Sequence, residues 1–258
     1  MASLLTHTNL VKEIKDKYPK LFTKKDLSYL ISGATFPDLF YFTHIRDYTK
    51  HPNFSNFLHK KNNGLKYAKE LLKKAETKKD ICFAIGFYSH FLLDKKIHSY
   101  LKKRKINKHI SHQICECYLD AEFEKSKIII PYYPKKMLKQ IIKEFNEEHA
   151  KKYINQINMN KTKTFSFKIS NQVINKIVNQ KYRVISKKKK YSKFKKILTK
   201  LTQMFKYKKM GQNITALLNP DLNIKFKHIE NLYREYTFAL KEMEKIVNIN
   251  KKKLLNTK

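Results

Sequence analysis

Apolar positions recur at helical spacing along most of the 258-residue chain, and no sustained alternating run of β-branched residues points to a sheet. The pattern predicts a first helix over Leu4–Lys17, ending before Pro19. A second is expected over Asp26–Ser32, with Asp26 as its N-cap and Gly33 as its stop. A third follows over Leu65–Ala75. Thr77-Lys78-Lys79-Asp80 reads as a capping-box start for a long apolar helix that continues through His98. Further helices are expected over Lys108–Lys127, Lys136–Lys151, Ser170–Ile185, Tyr191–Tyr207 and Phe226–Val247, with Ile128–Pro134 as a break. In the last of these, Leu232, Tyr233, Tyr236, Phe238, Leu240 and Met243 are apolar enough to dock on a core. With only 4 Gly and 6 Pro the chain has little material for tight turns, so the fold class is all-α. Hydrophobic content of 41% and aromatic content of 13% suffice for one substantial core, and a single domain over residues 1–258 is expected.

Candidate chemistry sits inside the long apolar helix. His90, Asp94 and His98 succeed one another at intervals of four, so neighbouring pairs share a helix face about 6 Å apart along the axis. His98 is roughly 12 Å along the axis from His90, with Asp94 between them, so the helix suggests two metal centres rather than one. A polar ladder satisfied by hydrogen bonds is the alternative. A carboxylate among Phe, Leu and Ile is costly to bury unless it is paired or coordinated, which favours metal. His112 and Glu116 repeat the spacing in the next predicted helix. Packed antiparallel on the first, that helix would bring them towards His98 and form a three-ligand site with an open position, a pattern suited to catalytic zinc. Cys115 could compete as a ligand, although a small buried hydrophobe is its ordinary role.

Taken in order, Thr6-His7, Gly33-Ala34-Thr35-Phe36-Pro37-Asp38, His51, Gly86-Phe87-Tyr88-Ser89-His90 with Asp94 and His98, and His112 with Glu116 resemble the zinc-dependent phospholipase C family. The resemblance implies an all-helical phospholipase C/P1 nuclease-like bundle, with the metal-ligand core in residues 1–125 and a basic helical part in 135–250. It implies up to three zinc ions. Asp38, His51, His90 and Asp94 would hold one, Asp94 and His7 a second, and His98, His112 and Glu116 a third. Asp38 would also be the general base. His44 and His59 lie near His51 and either could take its place, but His51-Pro52-Asn53-Phe54 is closer to the family's element after the Pro-Asp motif. In secreted members the second zinc is also bound by an N-terminal Trp, and this chain has no Trp. The chain's own start, or water, would have to complete that site.

The implied activity is hydrolysis of a phosphodiester, most simply a phospholipid cleaved to diacylglycerol and a phosphorylated headgroup. A nuclease of the same fold is the alternative within enzymes. A non-catalytic protein that keeps metal for stability while its basic surface binds membrane or nucleic acid is the alternative outside them. Aromatic residues near the Asp38–His51 segment, Tyr41, Phe42, Tyr48 and Phe54, would serve lipid, bases or the core equally well.

Charge adds little to this choice. The formal net charge is +36, but lysines are spread over the whole chain alongside abundant Ile and Asn, a composition that an AT-rich genome also produces. Lys187–Lys209 is the exception, a basic amphipathic segment in which Phe194, Ile197, Leu198, Leu201 and Phe205 hold helical spacing. It could reach an anionic lipid interface, or pack on the domain with its lysines merely solvated. No signal peptide and no transmembrane span is legible, and three cysteines give no disulfide framework. Cytoplasmic residence, with peripheral membrane contact at most, is therefore the expectation.

Overall fold

The structure, a computed structural model, describes residues 4–39, 54–60, 63–103 and 229–257. The expected helices between 108 and 207, the Lys187–Lys209 segment, and His44, His51, His112 and Glu116 lie outside the described residues. Every regular element within them is helical, as expected: α1 (Leu4–Lys17), α2 (Asp26–Leu39), α3 (Phe54–His59), α4 (Asn63–Lys74), α5 (Lys78–Lys103), α6 (Ile229–Ile249) and α7 (Lys251–Asn256). No helix among them is long and apolar enough to cross a membrane.

The central element is α5, which touches α1, α2, α4 and α6 and is buried on most of its circumference. Its start is the expected capping box: Thr77 Oγ1 donates to Asp80 Oδ2 at 2.8 Å, and the Asp80 amide donates back to Thr77 Oγ1 at 3.2 Å. An equivalent box opens α2, with Thr23 Oγ1 donating to Asp26 Oδ2 at 2.9 Å and the Asp26 amide donating to Thr23 Oγ1 at 3.3 Å. Asp26 is therefore the reciprocal partner of the box rather than the N-cap itself. Lys78 Nζ bridges the two starts, 3.0 Å from Asp26 Oδ2. From there α2 and α5 run side by side in the same direction.

Gly33 does not stop α2. The helix continues for six more residues, through Pro37, which lacks the N–H that would have bonded the Gly33 carbonyl one turn back. Gly33 is needed for contact. A Cβ there would collide with the Phe83 carbonyl and approach the Phe87 amide to 2.8 Å, and a Cβ on Gly86 would collide with the Leu30 carbonyl and approach the Ala34 amide to 2.9 Å. The two glycines thus let the helix backbones meet. Buried hydroxyls on α2 bond its own carbonyls, Ser32 Oγ to Ser28 O at 2.8 Å and Thr35 Oγ1 to Ile31 O at 3.0 Å, so this face can be enclosed without orphaned donors.

The C-terminal helix docks as its apolar pattern predicts, through Leu232, Tyr236, Ala239, Leu240, Met243 and Val247. Tyr233 and Phe238 are corrections to that pattern, being 46% and 51% exposed, with Lys96 Nζ 5.6 Å from the Phe238 ring centre. At the far end, α7 returns to α4, where Lys253 Nζ donates to the Leu72 carbonyl at 3.2 Å and so caps the end of that helix.

Candidate metal centre

Because α2 and α5 are parallel and in backbone contact at Gly33 and Gly86, the residues one to two turns further on must meet. Asp38 in the last turn of α2 therefore faces His90 and Asp94 on α5. His90 Nε2 lies 3.6 Å from Asp38 Oδ1 and 3.6 Å from Asp94 Oδ2. From α1, His7 Nε2 comes within 3.4 Å of Asp94 Oδ1, its ring stacked on that of His90 with centres 4.1 Å apart. From the end of α3, His59 Nε2 lies 3.3 Å from Asp94 Oδ2, 3.5 Å from Asp38 Oδ1 and 3.1 Å from His90 Nε2. His98, one turn beyond Asp94, places Nε2 at 3.7 Å from Asp94 Oδ1.

Asp94 is thus divided between two sets of imidazoles. Its Oδ1 faces His7 and His98, and its Oδ2 faces His59 and His90. Two groups have their ligand atoms within 4.8 Å of one another: His7, His90 and Asp94, and Asp38, His59 and His90. The donor set fits zinc in kind, being imidazole nitrogen and carboxylate oxygen. It also fits in spacing, since a tetrahedral ion with bonds of about 2.0–2.1 Å sets its ligand atoms roughly 3.3–3.4 Å apart. Both ring nitrogens of His7 and Asp38 Oδ1 are buried with no hydrogen bond among the described residues. Buried polar atoms so placed are what an ion would satisfy.

Local structure prepares the ligands. His90 Nδ1 lies 2.8 Å from the Ala34 carbonyl, which can only accept, so the proton is on Nδ1 and Nε2 turns its lone pair to the cluster. Complete burial, with His7 beside it, holds the His90 pKa well below the ordinary imidazole value, which keeps the ring neutral. Burial raises the Asp38 carboxyl to about 7, against the pull of His59. Asp94 goes the other way. Burial acts to raise it, but the histidines around it, through charge and hydrogen bonding, help to hold it well below the usual carboxylate range.

Of the residues expected from the sequence, His7, Asp38, His90, Asp94 and His98 are brought together. His51, His112 and Glu116 lie outside the described residues. His59, one of the two alternatives to His51, is placed in the cluster, whereas His44, the other, also lies outside the described residues. His59 is positioned by α4 as well as α3: a side chain at Gly64 would run into the Phe91 ring, and that ring packs against His59 with centres 5.1 Å apart. The contribution of the Ala34 carbonyl and of the glycine pair was not anticipated.

A family model described as zinc dependent phospholipase C matches residues 6–192, well over half of the chain. Comparison with curated proteins and with solved structures gave no match.

Proposed function

This chain belongs to the zinc-dependent phospholipase C family, and we propose that the cluster around Asp94 is its hydrolytic centre. The protein is a zinc-dependent hydrolase of the phosphodiesterase, phospholipase C type. The observation that carries the assignment of the centre is the division of the Asp94 carboxylate between two sets of imidazoles, the arrangement of a carboxylate shared by two ions.

In this reading Asp38, His59, His90 and Asp94 would hold one zinc, and His7 with Asp94 would contribute to a second. His98, with His112 and Glu116 as the family resemblance implies, would hold a third. Bound zinc supplies Lewis acidity and lowers the pKa of water, the chemistry that phosphodiester hydrolysis needs. Asp38 is the general base. With zinc bound beside it the Asp38 carboxylate would be kept ionised, and its second oxygen would accept a proton from water. The burial of His90, Asp94 and Asp38 keeps the electrostatics strong by excluding solvent from the ligands.

The substrate class we assign is phospholipid, cleaved on the glycerol side of the phosphate. The setting we assign is the cytoplasm, with Lys187–Lys209 meeting an anionic bilayer at its surface. The test is release of phosphorylated headgroup from phosphatidylcholine in mixed micelles, with single-stranded nucleic acid offered in parallel. Turnover should require zinc, be lost on chelation, and fall by about two to four orders of magnitude in Asp38→Asn with the fold kept. Turnover of nucleic acid alone would replace the lipid assignment, and a zinc-loaded chain inert towards both substrates would overturn the placement of the centre.

A further inference from the structure

The family match ends at residue 192, yet α6, at 229–249, packs against both α1 and α5, the helices that carry His7, His90 and Asp94. Its contact with α1 includes a closed set of hydrogen bonds, one buried and two partly buried. Asn9 Nδ2 donates to Glu13 Oε1 at 2.7 Å and to Tyr236 Oη at 2.9 Å, and Tyr236 Oη donates to Glu13 Oε1 at 2.7 Å. The amide nitrogen donates to both acceptors, and the phenol both accepts and donates. Two turns along α1, Lys17 pairs with Glu244 of α6 in an exposed contact.

Apolar helix contacts tolerate small slides and rotations, whereas a triangle of three short hydrogen bonds closes at one rotation and one axial position only. That position matters for the metal cluster. His7 lies two residues before Asn9 on α1, and each residue of a helix is displaced by about 100° around the axis, so the face turned to α6 and the face turned to Asp94 are set by one rotation. The described contacts of His7 are its stack on His90 and its approach to Asp94; α1 also packs on α2 and α5 through buried apolar residues, and to that packing α6 adds bonds that are directional.

We infer that Tyr236, with Asn9 and Glu13, is a positioning group for His7: α6 fixes the rotation of α1 and so holds the imidazole against Asp94. The inference rests on His7 being a zinc ligand. It makes the C-terminal helix, outside the residues matched to the family, part of what completes the centre.

The test uses the full chain and measures zinc retention against a competing chelator, with circular dichroism to check folding. His7→Ala should lose one class of ion, and Tyr236→Phe, which keeps the ring but removes both hydrogen bonds of the phenol, should weaken that same class by about three- to tenfold, part of the effect of those two bonds. In the His7→Ala background Tyr236→Phe should have no further effect. Glu13→Gln, which keeps an acceptor, should retain more of the affinity than Glu13→Ala. Unchanged retention in Tyr236→Phe, or equal weakening with and without His7, overturns the inference and leaves the centre standing. A His7→Ala chain with wild-type zinc overturns both the inference and the His7 assignment. If Tyr236→Phe does not fold, Asn9→Ala, which leaves the Tyr236–Glu13 bond, carries the same comparison.

Discussion

Gly33 and Gly86 face each other across the crossing of α2 and α5, each occupying a place where any side chain would strike the backbone of the other helix. The spacing of the cluster depends on this contact, because Asp38 and His90 lie only about one to one and a half turns beyond it on their respective helices. Gly86→Ala should force the helices apart. Overpacking of this kind costs about 1–3 kcal/mol, and here it should also lower zinc affinity by separating Asp38 from His90. Thermal melts with and without zinc check both effects; a variant that melts and binds zinc as the wild type does would show that the crossing has room to spare.

His59 and His51 make opposite predictions. His59 Nε2 is within 3.5 Å of ligand atoms on Asp38, Asp94 and His90, so His59→Ala should remove an ion and most of the activity. His51→Ala should leave metal content unchanged. Zinc measured on both purified variants decides between them, and loss of metal only in His51→Ala would reverse the assignment.

The choice between these histidines shows where reading the sequence reaches its limit. The i, i+4 spacing of His90, Asp94 and His98 is local information, and so is the Thr77–Asp80 capping box, so both were legible, as was the extent of α1. That His59 reaches the cluster depends on α3 and on the way Gly64 lets α4 approach Phe91, neither of which leaves a local mark. Gly33 was misread for the same reason. Glycine followed by proline four residues on resembles a helix end until the partner helix that needs the missing side chain is in view. Tyr233 and Phe238 fit an apolar pattern around α6, but only one face of that helix finds a partner among the described residues.

Glu13 should make stability depend on pH in a defined direction. Burial raises its pKa above the ordinary 4.5, although hydrogen bonds from Tyr236 and Asn9 oppose the rise. A carboxyl with a folded pKa above its unfolded value favours the folded state when protonated. Its contribution is complete below 4.5 and is lost as pH rises through the raised value. Glu13→Gln, which cannot ionise but still accepts from Tyr236, should therefore lose less stability than the wild type over that rise. Denaturant titrations of both proteins across the window provide the comparison, and parallel pH profiles would contradict the account.

Zinc content per folded chain in the wild type and in Asp94→Ala tests the shared carboxylate most directly. The wild type should carry at least two ions after gentle purification, and removal of Asp94 should cost more than one of them, because its two oxygens face separate ligand sets. A wild type without zinc, or an Asp94→Ala chain that loses one ion or none, would contradict the centre described above.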